Sequence, residues 1–299
     1  MNAQNKSLLL LLLLCCFGCS LFGQSPVIIP NYTIKEVTFS NAGVSLAGTV
    51  YKPKHPYASL VLVHGSGQET RMLKMASLLA ENGIAVLTYD KRGAGQSGGV
   101  YAGPEVGTNN IDSANLQLLG SDASAAADVL LAYLPKKHGP VGLMGFSQAG
   151  WVIPIAAQKN AKLSFMILFS GPVVTALEQL RFQFYTNGNS KFWDTHTETE
   201  VREHIHSDPD RYQFADTDPR NALSALVIPG LWILGGKDIQ APVGLSMERL
   251  DIFKSQGKRY DYLLFPELGH NTAFAKSQEP VEVAVQWIKA MSGMQKGNY

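Results

Sequence analysis

The stretch Val141-Gly142-Leu143-Met144-Gly145-Phe146-Ser147-Gln148-Ala149-Gly150 decides the fold. An unbroken apolar run, 141–144, leads into Gly145-Phe146-Ser147, and the residues that follow, 148–159, carry apolar side chains at three- and four-residue spacing. The first pattern is that of a buried strand in a parallel sheet, the second that of a helix. A serine between them, with glycine two positions before it and a small residue two positions after, occupies a tight turn. The small residues let strand and helix approach, and the turn lifts the hydroxyl clear of the backbone. Ala149 stands where this pattern usually has glycine, adding one methyl at the tightest point, and Gly150 follows it. Taken alone, the segment also fits a serine N-cap on an ordinary strand-to-helix turn, so its partners decide.

Outward from this turn the chain alternates strand-like and helix-like segments. Strands are expected at 34–39, 44–51, 59–63, 84–89, 141–144, 165–170, 231–234 and 260–265, and helices at 71–82, 121–134, 148–159, 243–256 and 280–291. Two opening strands followed by strand–helix repeats predict an α/β architecture: a mostly parallel, eight-stranded sheet with helices on both faces. The segment 171–229 breaks the rhythm. It scatters Phe182, Phe184, Tyr185, Phe192, Trp193, Tyr212 and Phe214 among polar residues without a clear strand, and reads as a helical cap inserted between strands. There is no internal repeat and no linker.

A serine hydroxyl needs a base, and the base an orienting carboxylate. In an open parallel sheet such groups collect at the carboxyl ends of strands. His270, in Leu268-Gly269-His270-Asn271, follows the strand 260–265, and Asp238, in Gly235-Gly236-Lys237-Asp238, follows 231–234. His64, His138, His196, His204 and His206 are rival bases. His64 at a strand end is expected to shape the adjacent loop and the others to be solvated. Asp251 falls within a helix and Asp261 begins a strand, which leaves Glu267 as the alternative acid. The glycine-bearing loop His64-Gly65-Ser66-Gly67 follows the strand 59–63, and it can bring one backbone N–H beside the serine. The N–H groups of Ser66 and Gln148 are the candidate pair for a developing oxyanion.

These features together resemble the α/β-hydrolase superfamily. Tyr89-Asp90-Lys91-Arg92-Gly93-Ala94-Gly95-Gln96-Ser97-Gly98 is similar to the DxRGxGxS loop of that superfamily, which implies a structural role for Asp90 and Arg92. Gly150-Trp151-Val152-Ile153-Pro154 and Phe169-Ser170-Gly171-Pro172 resemble bacterial esterases related to acyl-CoA thioesterase and bile-acid acyltransferase catalytic domains. The likeness runs over about residues 32–292. A serine stands where mammalian acyltransferases of that group carry cysteine, which implies hydrolysis rather than transfer. The spacing Gly93-Ala94-Gly95-Gln96-Ser97-Gly98 also suits a dinucleotide loop, but it follows a middle strand with no acidic residue ending the next one.

Composition narrows the rest. Among 299 residues, 25 Lys and Arg balance 24 Asp and Glu for a net charge of +1, so nucleic acid is not an expected partner. Lys6 precedes the apolar run 8–14, too short to span a bilayer, which reads as an export signal over 1–23; lipid attachment at Cys19 is the competing ending, and an uncleaved anchor is the remaining alternative. The 3 cysteines, Cys15, Cys16 and Cys19, all lie in that segment, so a cysteine nucleophile, a disulfide and a thiolate metal site are excluded from the rest of the chain. No metal-binding motif is present and no cofactor is expected. The expectation is an exported serine hydrolase acting on a small-molecule ester through Ser147, His270 and Asp238. A peptidase, thioesterase or acyltransferase would use the same parts, and a non-catalytic binding protein could share the fold.

Overall fold

The structure, a computed structural model, describes residues 31–101, 110–209 and 214–295. The segment 1–23, expected to be an export signal, and its three cysteines lie outside the described residues, as does Tyr212. Among the described residues no helix is long and apolar enough to cross a membrane.

Eight strands form one sheet in the order β1-β2-β4-β3-β5-β6-β7-β8. The hairpin β1 (Tyr32–Asn41) and β2 (Val44–Pro53) is antiparallel, closed by Ala42 and Gly43 at positive φ of 47° and 75°. That two-residue turn matches the natural twist of the strands it joins. β2 pairs antiparallel with β4 (Ile84–Tyr89). From β4 onward, through β3 (Ala58–Val63), β5 (Val141–Phe146), β6 (Phe165–Phe169), β7 (Gly230–Gly235) and β8 (Tyr260–Phe265), every pairing is parallel. Every residue of β3, β4, β5, β6 and β7 is buried, which explains their unbroken apolar runs.

Alternate residues of these strands feed two cores. On one face Val61, Leu143, Leu168 and Trp232 pack with helices α2 (Ser113–Ala132), α3 (Ala149–Lys159) and α7 (Val243–Ser255). On the other Leu60, Leu62, Ile167 and Ile233 pack with α1 (Leu73–Glu81) and α8 (Glu279–Gln295). Each such buried side chain contributes about 1.5–3 kcal/mol. The helix expected at 121–134 starts earlier, at Ser113, with the Asp112 carboxylate capping the Ala114 N–H at 2.9 Å. Gly120 interrupts the apolar periodicity there because α2 crosses α3 at that point, against Ile155.

Between β6 and β7 the insertion folds as α4 (Ala176–Thr186), a 3-10 turn (Phe192–Asp194), α5 (Glu198–Ser207) and α6 (Pro219–Ala225). Capping boxes at Thr175/Glu178 and Thr197/Glu200 start α4 and α5. The loop after β4 is structural, as its likeness implies. Asp90 accepts hydrogen bonds from Arg71 and from the Gln96 N–H, while Arg92 and Asp122 form a buried pair at 2.6 Å.

Candidate active site

Ser147 leaves β5 with φ of +51°, a left-handed conformation that a non-glycine residue holds only when its surroundings enforce it. The enforcing contacts are the Ser147 N–H donating to the Phe169 carbonyl at 3.0 Å and the Gly150 N–H donating to the Ser147 carbonyl at 2.8 Å. A Cβ on Gly145 would lie 2.5 Å from the Ala149 Cβ and 2.8 Å from the Val63 carbonyl oxygen. The methyl by which Ala149 departs from the usual pattern therefore fills space that Gly145 leaves empty.

His270 follows β8 and Asp238 follows β7, and their loops lie against each other: the Lys237 N–H donates to the Leu268 carbonyl at 2.8 Å. Gly235 makes that approach possible, since a Cβ there would come within 2.2 Å of the Gly269 carbonyl. The result is one hydrogen-bonded chain. His270 Nε2 lies 2.8 Å from Ser147 Oγ, and His270 Nδ1 lies 2.8 Å from Asp238 Oδ2. Asp238 is buried, and its Oδ1 accepts from the Gln240 and Ala241 N–H groups at 2.7 and 2.9 Å. Those two donors hold the carboxylate aimed at the imidazole, which fixes the Nδ1–H tautomer and leaves Nε2 to accept from the serine.

The glycine loop after β3 abuts the serine, for a Cβ on Gly65 would lie 3.8 Å from the Ser147 Cβ. Its carbonyls are occupied. Gly65 O accepts from Lys91 Nζ at 2.6 Å, and Ser66 O accepts from Tyr101 Oη at 2.8 Å and Asn110 Nδ2 at 3.0 Å. The Gly65 N–H donates to the Glu69 carboxylate, whereas among the described residues the N–H groups of Ser66 and Gln148 have no acceptor. The five residues singled out in the sequence, Ser147, His270, Asp238, Ser66 and Gln148, thus fall on the same end of the sheet.

The rivals are disposed elsewhere. His64 is buried edge-on against Tyr89, ring centroids 4.8 Å apart, and burial together with the nearby Lys91 charge pushes it down to about 3. Glu267 is exposed and pairs with Lys237 at 2.5 Å. Asp251 meets Tyr262, and Asp261 meets Lys254. His138 and His206 are exposed, but His196 and His204 are not simply solvated: His196 stacks on Phe192 at 4.1 Å and His204 on Tyr185 at 3.8 Å. Phe182 and Phe192 form a small core of the insertion with Val201 and Ile205, joined by Tyr185 and Trp193, and Phe184 is exposed. Among the described residues no three His, Cys, Asp or Glu side chains gather where they could hold a metal ion.

Three contacts at the site escaped the sequence reading. Trp193 donates its indole N–H to the Asp238 carbonyl at 2.7 Å, anchoring that loop from the insertion. Phe274, on the turn after His270, is exposed with its ring 4.9 Å from that of Phe146, the residue before the serine. Lys91 is buried, with its ammonium against Gly65 O, Gly67 O and Gln148 Oε1. No spacing signal marks any of them, since each acts through a contact made only in the fold.

A strained, half-buried serine bonded to an imidazole, which is in turn bonded to a buried carboxylate, is an arrangement that can form an acyl-enzyme. Comparison with known proteins agrees with the architecture. The chain is similar in structure to an esterase of Pyrococcus furiosus, with 17% identity and a TM-score of 0.59 over 89% of this chain and 92% of that one. It is similar to an acylaminoacyl peptidase of Pyrococcus horikoshii, with 17% identity and a TM-score of 0.62 over 87% of this chain but 41% of the peptidase. A lipase in its open form matches with 15% identity and a TM-score of 0.62 over 87% of this chain and 99% of that one. No curated protein sequence matches. Residues 54–222 match the family model described as serine aminopeptidase, S33. The chain therefore belongs to the S33 serine aminopeptidase family of α/β-hydrolases.

Proposed function

We propose that the protein is an exported serine hydrolase that cleaves small carboxylic esters through an acyl-enzyme on Ser147. The observation that carries this reading is the continuous chain from Ser147 Oγ through His270 to Asp238, each link 2.8 Å long. His270 Nε2 takes the hydroxyl proton as Ser147 Oγ attacks the ester carbonyl, and Asp238 stabilises the imidazolium that forms. The Ser66 and Gln148 N–H groups receive the oxyanion; one such donor is worth about 2.7–4 kcal/mol in the transition state. His270 then protonates the departing alcohol, and water activated by the same nitrogen releases the acid. No cofactor enters this scheme.

Substrate size follows from the insertion. Its aromatic residues pack on one another, and among the described residues only Phe184 and Val227 of 171–229 are large exposed hydrophobics. Aggregated lipid needs a broad apolar surface, which two separate side chains do not supply. Soluble short-chain or aromatic acyl esters are the substrates that fit. Export rests on the segment 1–23, and Cys19 would supply the anchor if lipid were attached.

Amide cleavage is the second reading, favoured by the family match to serine aminopeptidases and by the likeness to an acylaminoacyl peptidase. Thioester cleavage and acyl transfer use the same atoms. A panel of p-nitrophenyl esters of graded chain length, run beside aminoacyl-nitroanilides and acyl-CoA, separates these reactions. Turnover of short esters without anilides supports the ester reading; faster turnover of anilides, or of palmitoyl over butyryl esters, overturns it.

A further inference from the structure

Lys91 poses a problem of electrostatics. Its side chain is 3% exposed, yet among the described residues no carboxylate forms an ion pair with it. Its three donors go to neutral oxygens instead: Gly65 O at 2.6 Å, Gly67 O at 3.1 Å and Gln148 Oε1 at 2.9 Å. A buried ammonium that no carboxylate contacts directly, the Glu69 charge acting only through space, costs several kcal/mol, and an apolar side chain of similar length would fill the same space at lower cost. All three of its acceptors belong to the two segments that carry the Ser66 and Gln148 N–H groups.

The peptide between Gly65 and Ser66 is planar and trans, so its carbonyl and its N–H point in opposite directions. Holding Gly65 O on one side fixes the direction of the Ser66 N–H on the other. A cation on that carbonyl also polarises the peptide, making its N–H a stronger donor. The Ser66 carbonyl is pinned in turn by Tyr101 and Asn110, and the Gln148 amide donates to the Asn110 carbonyl at 2.7 Å. The Gln148 side chain therefore joins Lys91 to the second N–H segment.

We propose that Lys91 is a positioning residue for ester hydrolysis, setting the direction and donor strength of the Ser66 N–H and tying its loop to Gln148. This rests on the serine-hydrolase reading above. It adds a requirement for charge on a residue that touches no reacting atom.

That requirement has a pH signature. Burial pushes the Lys91 ammonium down to about 8, with the Glu69 carboxylate opposing the shift. The other groups facing it are the neutral His64 and the Tyr101 ring, 5.8 Å from Nζ. Its sequence neighbours Asp90 and Arg92 are turned away to Arg71 and Asp122. A neutral amine has two N–H donors for three oxygens and no charge, so kcat should fall as pH rises through this value.

The test measures kcat and KM for p-nitrophenyl butyrate from about pH 6 to about pH 10 in the wild type, Lys91→Met and Lys91→Arg. The wild type is expected to lose kcat along an alkaline limb near pH 8. Lys91→Met should lower kcat by about 30-fold with KM changed less than about threefold, and abolish that limb. Lys91→Arg, which stays charged, should recover part of kcat and also lack the limb. A Lys91→Met kcat within about twofold of wild type overturns the proposal, as does an alkaline limb that persists in that variant. If Lys91→Met fails to fold, the wild-type profile decides, and one that is flat to about pH 10 is the contrary result. Fluorophosphonate labelling of the wild type separates the two layers. Labelling at Ser147 with Lys91→Met unaffected sinks this proposal alone, whereas no labelling and no turnover sinks the hydrolase reading and this proposal with it.

Discussion

His64→Phe tests whether the rival histidine stays neutral in the folded protein. Burial and Lys91 push His64 from an ordinary value of 6.5 down to about 3. The unfolded chain therefore takes up a proton below pH 6.5 that the folded chain refuses. Stability is fully present above 6.5 and is lost as pH falls toward 3, with each pH unit in that window worth about 1.4 kcal/mol. Between pH 6.5 and pH 5, before most carboxylates titrate, the loss from this one group is about 2 kcal/mol. Phenylalanine keeps the edge-on packing against Tyr89, and the Nε2 it removes has no hydrogen-bond partner in the described structure. Urea unfolding of both proteins at pH 5, 6, 7 and 8 isolates the term, because the remaining histidines are common to both. The wild type should lose about 2 kcal/mol more than His64→Phe between pH 7 and pH 5. Parallel stability curves would refute the argument and return His64 to the list of candidate bases.

Ser147→Ala, His270→Ala and Asp238→Asn should each lower kcat by about 10³-fold or more while leaving the far-UV spectrum unchanged. A His270→Ala variant with near wild-type kcat would remove the base assignment. Trp193→Ala should lower the melting temperature, at a cost of about 2–3 kcal/mol for its contacts with Phe182 and Phe192, and leave the preferred acyl chain length where it is. Phe184→Ala, at an exposed position, should change stability by less than about 0.5 kcal/mol; an upward shift in chain-length preference from either variant would make the insertion a wall of the acyl pocket. Arg92→Met strands the buried Asp122 carboxylate and should cost about 3–5 kcal/mol, most of it recovered when Asp122→Leu is added, both read by urea unfolding.

Periodicity alone located the strands because the central ones are buried on both faces and leave unbroken apolar runs. It missed the start of α2, where Gly120 obeys a helix crossing rather than helix propensity. The expected order of serine, acid and base along the chain was legible because each follows a strand on the same end of the sheet. The roles of Lys91 and Trp193 were not legible. A lysine inside a glycine-rich loop and a tryptophan in a polar insertion carry no signal until Gly65 O and Asp238 O are seen to lie within reach. The same limit explains the aromatic residues of the insertion. Their sequence allows either a pocket roof or a local core, and the packing of Phe182, Phe192 and Tyr185 on one another favours the core.

The central claim is that Ser147 is the nucleophile, and covalent labelling tests it most directly. The protein is treated with a fluorophosphonate, digested, and mapped by mass spectrometry alongside Ser147→Ala. The account predicts one adduct, on Ser147, formed in parallel with loss of ester turnover and absent from the variant. An adduct on another residue that tracks the loss of activity, or full turnover retained by Ser147→Ala, would contradict it.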